Sequence, residues 1–340
     1  MKRLLPFLAC AALVLITGCG QSEPKPGTSP QAGTAPAGKK LSIALLPKSK
    51  GNQYFVTVKK GADKAAAELG VELLFDGPTN TDPAKQNEIV ENWITLGVDV
   101  IAAACENREG IATALKKAQA KGIKVLTYDS DTTPDARSFF VNQATAQGIG
   151  YTLMDTAAKL CGEEGEFAII TATLTAANMN EWRKNIEARL KEKYPNMKLV
   201  DTKPCDDQKD KAQQETANLL GAYPNLKCVM AICSPAVPGA AEAVKQAGKA
   251  GKVKVLGLGL PNENKAYVKS DVTQAVILWK VEDLGYLALH AAAALAKGEL
   301  KPGATSYKAG PLGELKIEGT DILLGQPFVF TKDNIDQFDF

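Results

Sequence analysis

The sequence contains very little histidine. Its 340 residues include a single one, His290, within an alanine-rich stretch at 284–297. A Ser/His/Asp or Cys/His nucleophilic apparatus, or a histidine-based metal site, would have to depend on this one side chain. Because no nucleophile motif such as GxSxG accompanies it, we interpret His290 as a helix-surface or packed residue and expect no enzymatic activity.

Sequence patterns that bind metals or nucleotides are also missing. The chain has no CxxC pair and no Cys/His cluster with zinc-ligand spacing. The glycine-rich stretches at 148–150 and 257–261 lack the spacing of nucleotide-binding loops, so we expect no metal and no cofactor. Outside the N-terminal segment the cysteines are Cys105, Cys161, Cys205, Cys228 and Cys233. An odd number cannot pair completely, so buried free thiols are expected, with one disulfide as the alternative.

A large net charge is absent as well. The formal charge is +2, and removal of Lys2 and Arg3 with a predicted N-terminal signal leaves none. Nucleic acid is therefore not expected as a partner, because its binding depends on an excess of basic residues. Roughly 300 residues remain for the folded part, more than one compact core usually contains, so two domains are expected.

The one long apolar run, at 4–16, follows a basic start and precedes Thr17-Gly18-Cys19. This order predicts an export signal at 1–18 that is cleaved before a lipidated Cys19. The run is shorter than the roughly 20 residues of a membrane-spanning helix. Residues 19–40 are rich in Gly, Pro, Ser and Thr, which predicts a flexible tether. We expect an exported protein, lipid-anchored at the cell envelope, in the periplasm or on the outer face of the membrane.

From residue 41 onward, short apolar runs rich in β-branched residues alternate with longer segments of helical period. This alternation predicts an α/β fold with parallel sheets covered by helices. Because the pattern begins again near residue 166, we predict two doubly wound lobes of similar topology. The predicted strands are 41–47, 71–75, 98–104, 123–128, 138–142, 166–172, 197–203, 227–233, 253–259 and 273–279, with late strand-like segments at 314–318, 321–325 and 327–330.

Three crossings of the chain between the lobes are predicted, near residues 142, 280 and 325. They assign residues 41–142 plus 281–324 to an N-terminal lobe and residues 143–280 plus 325–340 to a C-terminal lobe, joined by a three-segment hinge. Ligands of open α/β sheets bind beyond the carboxyl ends of the strands. Two facing lobes therefore predict one ligand cleft that closes about the hinge.

The residues after the predicted strands are amides, carboxylates, a lysine and aromatics, without a nucleophile–base pair. Carboxylates accept hydrogen bonds from sugar hydroxyls, amides donate and accept, and aromatic rings pack on the C–H face of a sugar. We therefore predict a site for a small neutral polyhydroxylated ligand. The candidate ligand-binding residues are Lys48, Asn52, Tyr54, Phe55, Glu106, Asn107, Asp129, Asp131, Asn178, Asn180, Asp207, Ser234, Trp279 and Lys280, with Ser130, Trp182 and Asp206 in comparable positions.

Each candidate also has a structural alternative. The Asn and Asp residues can cap the helices that follow them, and the two aromatic residues after the first strand can belong to the core. Lys280 can instead pair with Glu282 or Asp283 in solvent. A binding site is favoured because polar residues collect at strand ends in both halves of the chain.

Several segments carry a family resemblance: IALLPK (43–48), FDGPT (75–79), ALKKAQAKGIKVLTYDSDTTP (114–134), NEW (180–182) and FTKDNIDQFDF (330–340). Over residues 41–340 the sequence resembles the type I periplasmic sugar-binding proteins of ABC importers, and within them the autoinducer-2-binding and rhamnose-binding group. The resemblance implies a ligand held between two lobes and delivered to a membrane permease that a separate ATPase drives. We expect the protein to be a monomer.

The resemblance also indicates which ligands to expect. The lysine and the first-lobe aspartate of the autoinducer-2 pattern correspond to Lys48 and Asp129. Four second-lobe positions of that pattern differ: Asn178 and Met179 correspond to its Asp-Gln pair, and Ile232 and Ser234 to its proline and alanine. In ribose-binding relatives an Asp-Arg pair corresponds to Asp129-Ser130. A deoxyhexose such as rhamnose, or a pentose, is therefore favoured, with autoinducer-2 for uptake or signalling as the alternative.

Overall fold

Residues 39–340 are described in a computed structural model, and Lys40–Phe340 form one compact unit. The predicted export signal at 1–18, the lipidation site Cys19 and the predicted tether up to residue 38 lie outside the described residues. Across the described part of the chain, no helix is both long and apolar enough to span a bilayer.

The first half of the chain alternates strands and helices around one sheet. Its elements are β1 Ser42–Leu46, α1 Gln53–Leu69, β2 Glu72–Phe75, α2 Pro83–Leu96, β3 Val100–Ala103, α3 Ala112–Ala120, β4 Lys124–Tyr128 and β5 Phe140–Asn142. The strands are parallel neighbours in the order β2-β1-β3-β4-β5. Apolar side chains are buried on both faces of this sheet, against α1 on one side and against α2 and α3 on the other. That is why its strands read as continuous apolar runs.

The second half repeats this construction. Its elements are α4 Ala146–Cys161, β6 Gly165–Thr171, α5 Ala177–Lys193, β7 Met197–Pro204, α6 Lys209–Ala222, β8 Leu226–Ala231, α7 Ala236–Gln246, β9 Lys254–Leu258, α8 Pro261–Lys269 and β10 Ala275–Leu278. These strands are again parallel, in the order β7-β6-β8-β9-β10. The prediction of two doubly wound lobes with the same topology is confirmed.

The rest of the chain returns to the first sheet and then ends on the second. Its elements are α9 Val281–Ala296, β11 Ser306–Lys308, β12 Glu314–Glu318, β13 Asp321–Leu323 and β14 Phe328–Phe330. β13 pairs with β5 and continues the first sheet through β12 and β11, whereas β14 pairs antiparallel with β10. Within residues 39–340 the chain therefore passes between the sheets after β5, β10 and β13, as a three-segment hinge requires. We call the first sheet with α1–α3 and α9 the first lobe, and the second sheet with α4–α8 the second lobe.

Helix ends mostly follow the signals in the sequence. α1 ends at Gly70 with φ 65°, and α2 ends at Gly97 with φ 69°, a left-handed conformation that glycine adopts without strain. The third helix, α3, begins only at Ala112, although β3 ends at Ala103. Before it, Asn107 Oδ1 accepts a hydrogen bond of 2.8 Å from the Gly110 amide, and this turn delays the start of the helix.

Helix α9 packs unusually closely on α1. A Cβ atom at Gly61 would lie 1.8 Å from the Glu282 carbonyl oxygen, and one at Gly285 would lie 1.9 Å from that of Val58. Glycine is thus required where the two helix backbones meet. This contact holds α9 on the first lobe, although the helix follows a strand of the second.

Candidate functional site

The candidate site is a cavity between the two lobes, at the carboxyl ends of their strands. In both sheets the strand order reverses beside the first strand, between β1 and β3 and between β6 and β8. Loops leaving a sheet at such a point diverge and form a crevice. The two crevices face each other and form one cavity between the lobes.

Ten of the fourteen predicted ligand-binding residues line this cavity. They are Lys48, Asn52, Tyr54, Phe55, Glu106 and Asp129 from the first lobe and Asn178, Asp207, Ser234 and Trp279 at the ends of second-lobe elements. They meet because each follows a strand, or begins the helix after one, and all these ends point into the same crevice. Their roles in binding stay predictions.

Lys48 is a buried cation that joins the two lobes. It follows β1, is 5% exposed, and donates a 2.7 Å hydrogen bond from Nζ to Asn178 Oδ1 at the start of α5. Its Nζ atom also lies 4.0 Å from Glu106 Oε2. Glu106 contacts the same region of the second lobe, because its carbonyl oxygen accepts a 3.1 Å hydrogen bond from the Ala177 amide. One ammonium group is thus held between an amide and a carboxylate.

Asn52 forms a second contact between the lobes. It caps α1, because its Oδ1 atom accepts a hydrogen bond of 2.9 Å from the Tyr54 amide. The same side chain donates from Nδ2 to Asp207 Oδ2 at 2.6 Å, and its Oδ1 accepts from Ser234 Oγ at 3.2 Å. Helix capping and cleft contact are therefore not alternatives at this residue. With these bonds in place, the two lobes are closed on each other.

A chain of hydrogen bonds runs through the aromatic side of the cavity to Asp129. Trp279 Nε1 donates to Tyr54 Oη at 2.9 Å, and Tyr54 Oη donates to Asp129 Oδ1 at 2.8 Å. The rings of Trp182 and Trp279 lie 6.2 Å apart and give the cavity an apolar wall. The second carboxylate oxygen of Asp129 has no protein partner among residues 39–340, so it is available to a ligand hydroxyl.

Buried carboxylates dominate the electrostatics of the site. Loss of hydration raises the pKa of Asp129 and of Asp207, although the nearby Lys48 ammonium acts in the opposite direction on both. Burial, with the Asp129 charge, also raises the pKa of Tyr54 well above its usual value, so Tyr54 stays a hydrogen-bond donor. With Glu106, three carboxylates face one ammonium group. This balance disfavours an anionic ligand and suits hydroxyl groups that donate.

The other four predicted residues do not line the cavity. Asp131 is held by Arg137, whose Nη2 lies 2.7 Å from Asp131 Oδ2 in a buried ion pair. Asn107 forms the turn before α3, and Asn180 donates from Nδ2 to the Leu174 carbonyl oxygen at 3.0 Å. Lys280 is exposed before α9, whose first turn carries two acidic residues.

Sequence reasoning missed the apolar lining and the residues that position the loops. The further lining residues are Thr81, Ala172, Met179, Trp182, Ile232, Cys233, Leu258 and Leu278. Trp182 was named among the strand-end residues, and Met179 and Ile232 were named only through the family resemblance. Gln86 is fully buried in α2 and donates from Nε2 to the Pro47 and Ala104 carbonyl oxygens at 2.9 and 2.8 Å. Its Oε1 atom accepts from the Glu106 amide at 3.0 Å. One sequence signal could have identified Gln86. It shares a face of α2 with the apolar residues Ile89, Val90 and Trp93, where a polar side chain needs hydrogen-bond partners.

Among the described residues, no group of three or more His, Cys, Asp or Glu side chains is arranged to hold a metal ion. His290 lies on α9 and stacks on Tyr286 with ring centroids 4.4 Å apart, and burial lowers its pKa. It does not line the cavity. The site therefore offers hydrogen bonds and ring surfaces and no histidine.

Two similar α/β lobes, three connections and a polar cleft with one aromatic wall define a two-lobed ligand-binding protein. A family model described as periplasmic binding protein domain matches residues 43–300. The chain belongs to this periplasmic binding protein family, and it is a binding protein rather than an enzyme, as its sequence predicted.

Similar proteins are named for, or were solved with, several monosaccharides and AI-2. The D-ribose/D-allose-binding protein of Pseudomonas aeruginosa is 30% identical over 76% of this chain and 81% of its own. An ABC transporter solute-binding protein from Clostridium phytofermentas, solved with L-rhamnose, has 31% identity and a TM-score of 0.85, covering 88% of this chain and 98% of its own. LsrB from Clostridium saccharobutylicum, solved with AI-2, has 25% identity and a TM-score of 0.84, covering 88% and 100%. The predicted resemblance to the rhamnose and autoinducer-2 group is confirmed.

Proposed function

We propose that this chain is the substrate-binding lipoprotein of an ABC-type sugar importer and holds one neutral monosaccharide, a deoxyhexose or a pentose, between its lobes. The observation that carries this proposal is the combination of hydrogen-bonding groups and aromatic rings around one cavity. Asp129, oriented by Tyr54, faces a space bounded on another side by Trp182 and Trp279. A sugar presents hydroxyls at its edge and C–H groups on its faces, and such a cavity complements both.

Binding requires the lobes to open and close. We propose that residues 41–142 plus 281–324 and residues 143–280 plus 325–340 move as two bodies about the three connections. The bonds from Asn52 to Asp207 and from Lys48 to Asn178 form only when the cleft is closed. A ligand that contacts both lobes adds to these bonds and so shifts the equilibrium toward the closed form. The closed monomer would then be recognised by the permease.

A panel of ligands tests the proposal. The full chain, purified in detergent, would be heated with L-rhamnose, D-ribose, D-allose, D-arabinose and autoinducer-2, because a ligand that binds only the native state raises its melting temperature. D-ribose 5-phosphate serves as the matched anionic control. We expect a clear rise with one neutral monosaccharide and none with the phosphate. No rise with any of the sugars would reject the proposal.

Autoinducer-2 is the second candidate because Lys48 and Asp129, the two residues shared with that pattern, both line the cavity. Asn178, Met179, Ile232 and Ser234 line it as well, and these are the positions where the pattern differs. An amide at Asn178 in place of a carboxylate removes a charge next to Lys48. The site thus differs from the autoinducer-2 pattern where the ligand would lie, which favours a monosaccharide.

Export and lipid anchoring rest on the N-terminal sequence. We infer that Cys19 carries the lipid after cleavage of residues 1–18, so the full chain should incorporate a fatty-acid label and sediment with membranes. Replacing Cys19 by Ser should abolish the label. Cys10→Ser is the matched control, since Cys10 lies inside the predicted signal, and it should leave labelling unchanged. Label retained in Cys19→Ser would contradict the anchor.

A further inference from the structure

Two cysteines of the second lobe lie side by side in the wall of the cleft. Cys205 directly follows β7, Cys233 follows β8, and their Sγ atoms are 3.5 Å apart. Both are buried, and Cys233 lines the cavity. β7 and β8 are not neighbours in the sheet, because β6 lies between them. The two loops therefore have to bend over the end of β6 to bring these sulfurs together.

Backbone hydrogen bonds hold both loops in this position. The Cys205 amide donates to the Thr171 and Ala172 carbonyl oxygens at the end of β6, at 2.8 and 3.1 Å. On the other side, the Ile232 amide donates to the Ile170 carbonyl oxygen at 2.8 Å. The sulfurs of a disulfide are about 2.05 Å apart, so the pair needs a relative shift of roughly 1.5 Å. Rotation about a Cα–Cβ bond can move an Sγ atom by this much.

We propose that Cys205 and Cys233 form a disulfide in the exported protein. The inference uses the export step of the proposed function, because disulfides persist in oxidising compartments. A thiolate of the pair attacks an oxidised dithiol carrier, displacing one carrier sulfur as a thiol, and the second cysteine then displaces the other. The chain loses two protons and two electrons, one S–S bond forms in it, and the carrier disulfide becomes two thiols.

The bond forms while the chain folds rather than afterwards. Burial raises the pKa of the Cys233 thiol well above its usual value, and the thiolate is the reactive species. Once the lobe is complete, the pair is therefore slow to react with an external oxidant, and the burial of both sulfurs makes a formed disulfide slow to be reduced. The product is a structural bond.

The bond would tie together two loops that contact the first lobe. Asp207 lies two residues after Cys205, Ser234 directly follows Cys233, and both side chains hydrogen-bond to Asn52. A disulfide at this point fixes the distance between the two partners of Asn52. It thereby organises the second-lobe side of the cleft before any ligand arrives.

Peptide mapping of the full chain tests the proposal in cells. Free thiols would be blocked with N-ethylmaleimide in denaturant immediately on lysis, and the protein digested with trypsin without reduction. Cleavage yields peptide 199–209, which contains Cys205, and peptide 228–245, which contains Cys228 and Cys233. We expect these peptides to be linked, and the link to persist in Cys228→Ala and disappear in Cys233→Ala. Maleimide on both Cys205 and Cys233, or a link that requires Cys228, would overturn the proposal.

Refolding in vitro separates the geometry from the export premise. The purified full chain, denatured and reduced, would be refolded in a mixture of glutathione and its disulfide. We expect the same linked peptides, and a melting temperature that falls by roughly 5 °C on reduction in the wild type but not in Cys205→Ser/Cys233→Ser. Failure to link here overturns the geometric argument. A link in vitro that is absent from cells overturns the proposal for the exported protein and argues against export, while sugar binding is still tested by the ligand panel.

Discussion

Asp129 and Asp207 adopt backbone conformations that few residues tolerate. Their φ angles are 60° and 56°, in the left-handed region where a Cβ atom is crowded and where Asp and Asn are the usual exceptions to glycine. At Asp129 the neighbours hold this conformation, because its carbonyl oxygen accepts from Gln143 Nε2 at 3.0 Å and from Asn178 Nδ2 at 3.4 Å. Strain maintained by surrounding contacts is typical of functional sites.

Asp129 and Asp131 should respond oppositely to the same substitution. Asp129→Asn removes the carboxylate that faces the cavity, so we expect ligand affinity to fall by about 1–3 kcal/mol with little loss of stability. Asp131→Asn removes one partner of the buried pair with Arg137, so we expect stability to fall by about 3 kcal/mol with affinity retained. Calorimetric titration and urea unfolding measure the two effects.

The comparison is decisive because both changes are isosteric and the residues are two positions apart. Equal affinity in Asp129→Asn and wild type would make Asp129 a structural residue. A loss of affinity in a stably folded Asp131→Asn would bring Asp131 back into the binding site.

The sequence predicted the types of chemical group at the site better than it predicted which residues line the cavity. Strand ends could be located from apolar runs, so Lys48, Glu106 and Asp129 could be predicted to line the cleft. Glu106 lines the cavity and its neighbour Asn107 does not. This difference depends on the turn that Asn107 forms with Gly110, and hydrophobic periodicity does not predict such a turn. Residues such as Leu258 and Leu278 look like any other strand residue, because an apolar cavity wall and an apolar core have the same composition.

The contact between α1 and α9 permits a test at the level of elements. Gly285→Ala would place a Cβ atom 1.9 Å from a backbone carbonyl oxygen, so the helices have to separate. We expect a loss of about 1–3 kcal/mol in the free energy of unfolding, as for other overpacked sites. Gly221→Ala in α6 is the matched control, because nothing lies within 4 Å of its Cβ position. There alanine should stabilise by about 0.5–1 kcal/mol.

Both variants would be measured by urea unfolding under identical conditions. If Gly285→Ala unfolds at the same denaturant concentration as the wild type, the close helix contact does not contribute as described. The prediction of α9 as a helix needed only its period and alanine content. Its assignment to the first lobe followed from choosing the simplest set of connections between the lobes. The requirement for Gly61 and Gly285 comes from a contact between two helices far apart in sequence, which no local pattern predicts.

At the scale of the molecule, closure brings like charges together. Asp207 of the second lobe joins Asp129 and Glu106 of the first lobe around one cation, Lys48, in the cavity. In the open form these carboxylates regain hydration, so the empty cleft resists closing when they are ionised. Ligand hydroxyls that donate to them replace the lost water. We therefore expect closure to be coupled both to ligand binding and to proton binding.

The coupling to protons has a definite sign. Burial in the closed cleft raises the pKa values of Asp129 and Asp207 above the ordinary aspartate value of 3.8, and we expect the closed form to bind protons more readily than the open form. Stability of the closed form is highest below that ordinary value and is lost as pH rises through the raised values. We expect the ligand-free protein to become more compact as pH is lowered from neutral toward the ordinary aspartate value of 3.8, measured as radius of gyration by small-angle X-ray scattering. The double variant Asp129→Asn/Asp207→Asn should lose this response. Asp135→Asn is the control and should keep it, because Asp135 is exposed and its hydrogen bond with Lys116 lowers its pKa. A wild-type protein that expands as pH falls would contradict the coupling, because protonation would then favour the open cleft.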